Sequence, residues 1–212
     1  MRIQIMLVEI FADFVCPWCW IGRHRFLHAL EQRPGMPIEI AWRPYRLNPS
    51  MPAEGMDRKL YVTSKFGEGP RVDAMYSLMT RVGAELGLEF AWDKIERAPN
   101  TLLAHRLVRL AERAGLADTM VERLFSAYFR DGVDLGDADA LAALAGEVGI
   151  DPADAARFLA GDEDCAAVVA ADGAARRHVD GVPYYVFDRR FSLAGAQDSE
   201  AFLPVFDAVR AA

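Results

Sequence analysis

The stretch Ile10-Phe11-Ala12-Asp13-Phe14-Val15-Cys16-Pro17-Trp18-Cys19-Trp20-Ile21-Gly22 decides how the rest of this 212-residue chain is read. The apolar segment leading into it, residues 3–12, has the pattern of a buried first strand. Gln4 and Glu9 interrupt the run and no small-residue cleavage site follows, so it does not read as a signal sequence. Beyond it the spacing predicts a helix from near Cys16 to about Gln32. Ile21, Phe26, Leu27 and Leu30 form its apolar face, and Pro34-Gly35 stops it. In residues 38–45, Ile38, Ile40 and Trp42 then alternate with Glu39, Ala41 and Arg43. Strand, helix and strand at this spacing make a βαβ unit with a parallel pair.

The two cysteines of the stretch therefore fall at a strand-to-helix junction. Chance alone would put some pair of three cysteines three residues apart roughly 3% of the time, so position carries more weight than spacing. At the helix N-terminus unpaired N–H groups and the helix dipole favour an anion, and the thiolate is the reactive form of cysteine. Cys19 lies one turn on, within reach of Cys16 for a disulfide, and Pro17 is tolerated where its missing N–H has no partner to lose. The chemistry this implies is thiol–disulfide exchange. Cys16 attacks a disulfide, Cys19 resolves the mixed disulfide, and the reverse sequence oxidises a dithiol. Trp18 reads as an exposed, flat apolar contact for a substrate, with a core aromatic as its competing reading.

Zinc is the chief rival, because Cys-x-x-Cys is half of a structural zinc site and His24 and His28 follow on the same helix. Four residues between Cys19 and His24 are too few for a zinc finger, and one continuous helix wraps an ion poorly, so no metal is expected. His24 and His28 read as surface or interface residues, and Cys165, grouped with Val168 and Val169, as a small buried hydrophobe.

From about Asp57 to Ala160 the signal is almost wholly helical. Met75, Leu78, Met79 and Val82 share one face; Leu103, Leu107, Leu110 and Ala114 share another. Val121, Leu124, Phe125, Tyr128 and Phe129 follow with Asp118 as N-cap, and Asp151-Pro152 opens a further helix. Such stripes need one another, which predicts a bundle. A helix over 164–179 is then expected to carry acids at its start (Asp162, Glu163, Asp164), bases at its end (Arg176, Arg177, His178) and Gly181 as terminator. Strands at 183–187 and 191–194 surround the turn Asp188-Arg189-Arg190, and a last helix runs over 199–209.

The bulk composition narrows the function. With 52% hydrophobic residues the chain can bury a core, and its net charge of −7 gives no footprint for nucleic acid. No stretch is apolar enough to span a membrane. Three cysteines exclude a disulfide scaffold, and the expected location is the cytoplasm, where a cysteine pair is catalytic or metal-binding rather than structural.

Several runs together resemble the DsbA-like thioredoxin superfamily, in its FrnE-like branch. They are Asp13 to Gly22, Trp42-Arg43-Pro44-Tyr45-Arg46-Leu47-Asn48-Pro49, Pro99-Asn100-Thr101, Ala104-His105-Arg106, Gly181-Val182-Pro183 and Gly195-Ala196-Gln197. They span nearly the whole chain in the expected order. The resemblance implies an α/β thioredoxin fold with an all-helical insertion, residues 1–55 and 161–212 forming the thioredoxin-like domain and 56–160 the insertion. It also implies Cys16 as nucleophile, Cys19 as resolving cysteine and Pro183 in cis, with the Val182 backbone aligning substrate as an added strand would. Relatives with a second cysteine pair near the C-terminus differ from this chain, which has none there.

The branch also holds 2-hydroxychromene-2-carboxylate isomerases and kappa-class glutathione transferases, which carry serine where Cys16 stands. By that resemblance Asn48, Val182 and Gln197, beside Pro17, Trp18 and Pro183, fall where a substrate or glutathione could be held. Glutathione is thus a candidate co-substrate, no other cofactor is implied, and a glutathione-dependent isomerase or transferase is the alternative activity. The expected partners are protein or small-molecule thiols and disulfides; a homodimer is compatible with the sequence but nothing in it demands one. Asn100 reads as a helix N-cap and His105 as a surface residue, although the resemblance sets their segment beside the active site.

Overall fold

The computed structural model describes residues 5–211. The first strand, β1 (Met6–Ala12), buries Met6, Val8, Ile10 and Ala12 on one face, as the two-residue period of a strand dictates. Residues 3 and 4 of the expected strand lie outside the described residues. Helix α1 (Pro17–Glu31) returns over the sheet to β2 (Ile38–Pro44), which pairs parallel to β1 with Val8 opposite Ile40. Helices α2 (Arg58–Phe66) and α3 (Pro70–Glu85) are flanked by two very short strands, β3 (Met56–Asp57) and β4 (Arg97–Ala98), which pair antiparallel. Then come α4 (Leu102–Arg113), α5 (Ala117–Phe129), α6 (Ala138–Glu147), α7 (Pro152–Ala160) and α8 (Cys165–Ala175). The hairpin β5 (Tyr184–Phe187) and β6 (Phe191–Ala194) and helix α9 (Leu203–Ala211) complete the thioredoxin fold. The sheet order is β2-β1-β5-β6, with β5 antiparallel to β1.

Two cores follow from this layout. In one, Val8 and Ile10 of β1 pack with Phe26 of α1, Tyr185 and Phe187 of β5, and Phe202 and Phe206 at the C-terminal helix. The other fills the helical insertion with Leu107, Val121, Leu124, Phe125, Tyr128 and Phe129, and extends without a break to Phe14, Cys16, Cys19 and Trp20. The active turn is thus part of the insertion's core. No described helix is long and apolar enough to cross a membrane.

Several expectations need correction. Residues 57–160 are not helical throughout: a two-residue strand pair has too few positions to show a period. Leu78 is exposed, while Met79 of the same stripe is buried. Asp118 lies inside the first turn of α5 rather than capping it, because its carboxylate is drawn to Arg23 of α1 at 2.6 Å. Helix α8 starts at Cys165 and ends at Ala175, well before Gly181, and no acid lies in its first turn and no base in its last. Glu163 and Asp164 are instead bound by Arg113, and Asp164 also by Arg109, both of α4. Cys165 is only half-buried and Val169 is exposed. Asp151 does cap α7, accepting from the Ala153 N–H at 2.7 Å with Pro152 behind it.

Candidate active site

The site is assembled by the short turn between β1 and α1. Cys16 is the N-cap of α1 in an extended conformation, with Pro17 at the first helical position. Its N–H donates to the Asp13 carbonyl (3.1 Å), and the Cys19 N–H donates to the Cys16 carbonyl (3.0 Å), so the turn is locked at both ends. The cysteines are free thiols here. Both are buried, Cys16 at 5% and Cys19 at 1% exposure, and the Cys16 thiol donates toward the Val182 carbonyl at 3.7 Å. Burial above all, then the hydrogen bond and charge of the Cys16 sulfur, push the Cys19 thiol well above its ordinary range against a backbone hydrogen bond from Asp13. Cys19 therefore stays a protonated thiol until something takes its proton.

The Val182–Pro183 bond is cis. Gly22, one turn beyond Cys19, lets the proline ring and the β5 hairpin come close: a Cβ there would lie 2.6 Å from Tyr185 Oη and 2.9 Å from Pro183 Cγ. The structure thus brings Cys16, Cys19, Val182 and Pro183 together. Trp18 is half-buried against the insertion core, between its two sequence readings. Asn48 is engaged to one side, donating to Tyr61 Oη (2.9 Å) and accepting from Lys65 Nζ (3.0 Å). Gln197 is exposed and donates to the Ala194 carbonyl (2.8 Å). Nothing in these bonds joins Asn48 or Gln197 to the cysteines.

Three features of the active turn and the helices around it were not legible as such in the sequence. Asp13 is wholly buried: its carboxylate accepts from the N–H groups of Phe14 (3.0 Å) and Leu47 (2.7 Å), and lies 3.3 Å from His105 Nε2. His105, expected at the surface, is 5% exposed with its ring against Phe14. The correction is a tertiary one, since the polar side of α4 faces the β1–α1 turn at this point. Second, Glu122 of α5 gathers Trp20 Nε1 (3.0 Å), Arg23 (2.5 Å) and His24 (3.1 Å) of α1, fixing the active helix to the insertion. Third, Arg106 is almost wholly buried and donates to the carbonyls of Phe158, Leu159, Gly161 and Glu163, stitching α4 to the end of α7. His24 and His28 are paired with Glu122 and Glu31, and among the described residues no group of three or more His, Cys, Asp or Glu is placed to hold a metal.

A thioredoxin fold that presents a Cys-x-x-Cys at the start of its first helix, opposite a cis-proline, defines a class of dithiol proteins with a helical insertion. Residues 7–206 match the DSBA-like thioredoxin domain family, and the chain belongs to that family. It is similar to a probable DsbA oxidoreductase from Streptomyces coelicolor at 27% identity, covering 97% of this chain and 90% of that one, with a TM-score of 0.87. A 2-hydroxychromene-2-carboxylate isomerase shares the fold at 16% identity, 97% and 94% coverage and a TM-score of 0.68. So does the cytosolic disulfide reductase DsbM of Pseudomonas aeruginosa, solved with glutathione, at 20% identity, 97% and 96% coverage and a TM-score of 0.64.

Proposed function

We propose that this protein is a cytoplasmic thiol–disulfide oxidoreductase working through Cys16 and Cys19 on protein or small-molecule thiols and disulfides. The observation that carries the reading is the pair at the start of α1: Cys16 with its sulfur against the Val182 carbonyl beside Pro183, and Cys19 one turn on, its thiol pushed up by burial. In the reductive direction Cys16 thiolate attacks a substrate disulfide, one substrate sulfur leaves as thiolate, and a mixed disulfide forms. Cys19 then attacks Cys16, the second substrate sulfur leaves, and the Cys16–Cys19 disulfide holds the oxidised state. Residues 1–55 and 161–212 form the redox frame in this reading, and 56–160 the insertion that buries the resolving thiol. Val182 offers its backbone to an extended substrate, with Pro17, Trp18 and Pro183 as neighbouring contacts. Glutathione is the small thiol we assign as co-substrate, with Asn48 and Gln197 as outer contacts. The DsbM structure solved with glutathione supports that choice at the level of fold.

Cys16→Ser tests the reading: the variant must lose disulfide exchange, and a purified variant with full activity refutes it. An isomerase or transferase would instead keep glutathione-dependent turnover in Cys19→Ala, because a resolving thiol has no part in that chemistry.

A further inference from the structure

The turn after β6, residues 195–198, leans on the wall that faces Cys16. Gly195 stands at φ +80°, in the left-handed region that favours glycine, and its N–H donates to the Pro183 carbonyl at 2.8 Å. Pro183 is joined by its cis bond to Val182, whose carbonyl lies 3.7 Å from the Cys16 sulfur. Val182 and Pro183 themselves lie outside the sheet ladder. Its last pairs are Tyr184 with Phe11 on one side and with Ala194 on the other. Sheet pairing therefore does not fix the backbone that meets the reactive thiol, and the Gly195 bond ties it to the turn instead.

The turn is in turn pinned by Arg25 of α1, which follows Gly22 by one helical turn. The Arg25 guanidinium donates to the Ala196 carbonyl at 2.7 Å and pairs with the Asp198 carboxylate at 2.8 Å, so its fork holds two points of the turn at once. Asp198 is exposed, and an ion pair with it alone counts for little. The half-buried Ala196 carbonyl is the firmer hold, since a hydrogen bond from a charged donor is among the stronger ones. Among the described residues no other side chain of α1 hydrogen-bonds to the turn. Gln197 bonds only locally, its N–H to the Gly195 carbonyl (2.9 Å) and its amide to the Ala194 carbonyl (2.8 Å).

We infer that Arg25 is a positioning residue for extended substrates: by fixing the 195–198 turn to α1 it sets where the Val182 backbone stands when a substrate strand pairs with it. The inference rests on the exchange reading above. An added strand needs N–H and C=O groups held in register, whereas a disulfide without peptide flanks needs only the Cys16 sulfur.

The test compares two disulfides with the full reduced chain. One is a peptide of about six residues whose central cysteine is joined to 2-nitro-5-thiobenzoate; the other is the same mixed disulfide of free cysteine. In both, Cys16 thiolate attacks the cysteine sulfur, the new S–S bond forms, and the coloured nitrothiolate leaves with the electron pair. In Arg25→Met the half-saturating peptide concentration should rise at least about fivefold with the limiting rate within about twofold, and the free-cysteine rate should change less than about twofold. Arg25→Lys, which keeps one charged donor, should recover part of the loss. Gly195→Ala strains the turn from its other end and should reproduce the peptide-selective loss, which keeps the inference open to refutation if Arg25→Met does not fold. An unchanged half-saturation in Arg25→Met or Gly195→Ala, or equal loss toward both disulfides, overturns the inference. So does an unmodified protein that does not prefer the peptide. An unmodified protein that releases nitrothiolate from neither disulfide is a different failure, that of the exchange reading, and takes the inference with it.

Discussion

Replacing Gly22 by alanine sets two effects of known size against each other. In a helix interior alanine is favoured over glycine by about 0.5–1 kcal/mol. At Gly22, however, the new Cβ would lie 2.6 Å from Tyr185 Oη, 2.9 Å from Pro183 Cγ and 3.3 Å from Ala196 Cβ. None of these can swing away cheaply. Tyr185 is fully buried, paired through its backbone with Ile10 and Leu193, and its ring is packed on Phe26 and Phe202. Overpacking of this kind costs about 1–3 kcal/mol, so the net change should be a loss of up to about 2.5 kcal/mol. The same displacement pushes Pro183 and Val182 from α1, widening the 3.7 Å approach of Cys16 to the Val182 carbonyl, and should slow attack by Cys16 on an added disulfide. Gly173→Ala in α8 supplies the control. Nothing lies within 4 Å of its added Cβ, so it should stabilise by about 0.5–1 kcal/mol and leave exchange unchanged. Urea midpoints, with the rate at which the reduced protein releases nitrothiolate from 5,5′-dithiobis(2-nitrobenzoate), decide the matter. A Gly22→Ala protein that gains stability and keeps its exchange rate refutes the close packing of α1 on the proline hairpin.

Other outcomes follow from the same contacts. Arg106→Met removes the donor for four carbonyls, of which those of Phe158 and Leu159 are buried, and should cost at least about 3 kcal/mol in urea unfolding, two charge-assisted hydrogen bonds' worth; a loss under 1 kcal/mol would show that water satisfies those groups. Burial pushes the Glu122 carboxyl up, but the His24 hydrogen bond, the Arg23 and His24 charges and Trp20 N–H outweigh it and hold Glu122 below the ordinary range. Its contribution is then complete above about pH 4.3, the unfolded value, and is lost as pH falls through the lower folded value. Glu122→Gln should be less stable at neutral pH and show a shallower decline on acidification, read from urea midpoints across the acid range. Cys165→Ala should leave the rate of disulfide exchange with an added substrate unchanged, since that thiol stands at the start of α8; a slower rate would bring a third cysteine into the chemistry.

The sequence by itself determined the local parts. Alternation in 6–12 and 38–44 and the apolar face of α1 fix the βαβ unit, because strand and helix periods are properties of neighbouring residues. The position of Cys16 and Cys19 at the start of α1 and the hairpin around Asp188-Arg189-Arg190 were equally legible. Only the tertiary structure decided what surrounds the pair. His105 looked like a surface residue because its neighbours Arg109 and Glu112 are polar, yet α4 turns that side toward Asp13, 92 residues away in sequence. Arg106 gave no sign of its burial, since the carbonyls that hold it come from the end of α7 and the loop beyond. Two-residue strands carry no period, and a helix's true ends depend on what claims its terminal charges, as Arg109 and Arg113 claim Asp164. Periodicity records which face of an element is apolar; which partner that face meets, and which polar groups are sealed in with it, depends on contacts between residues far apart in the chain.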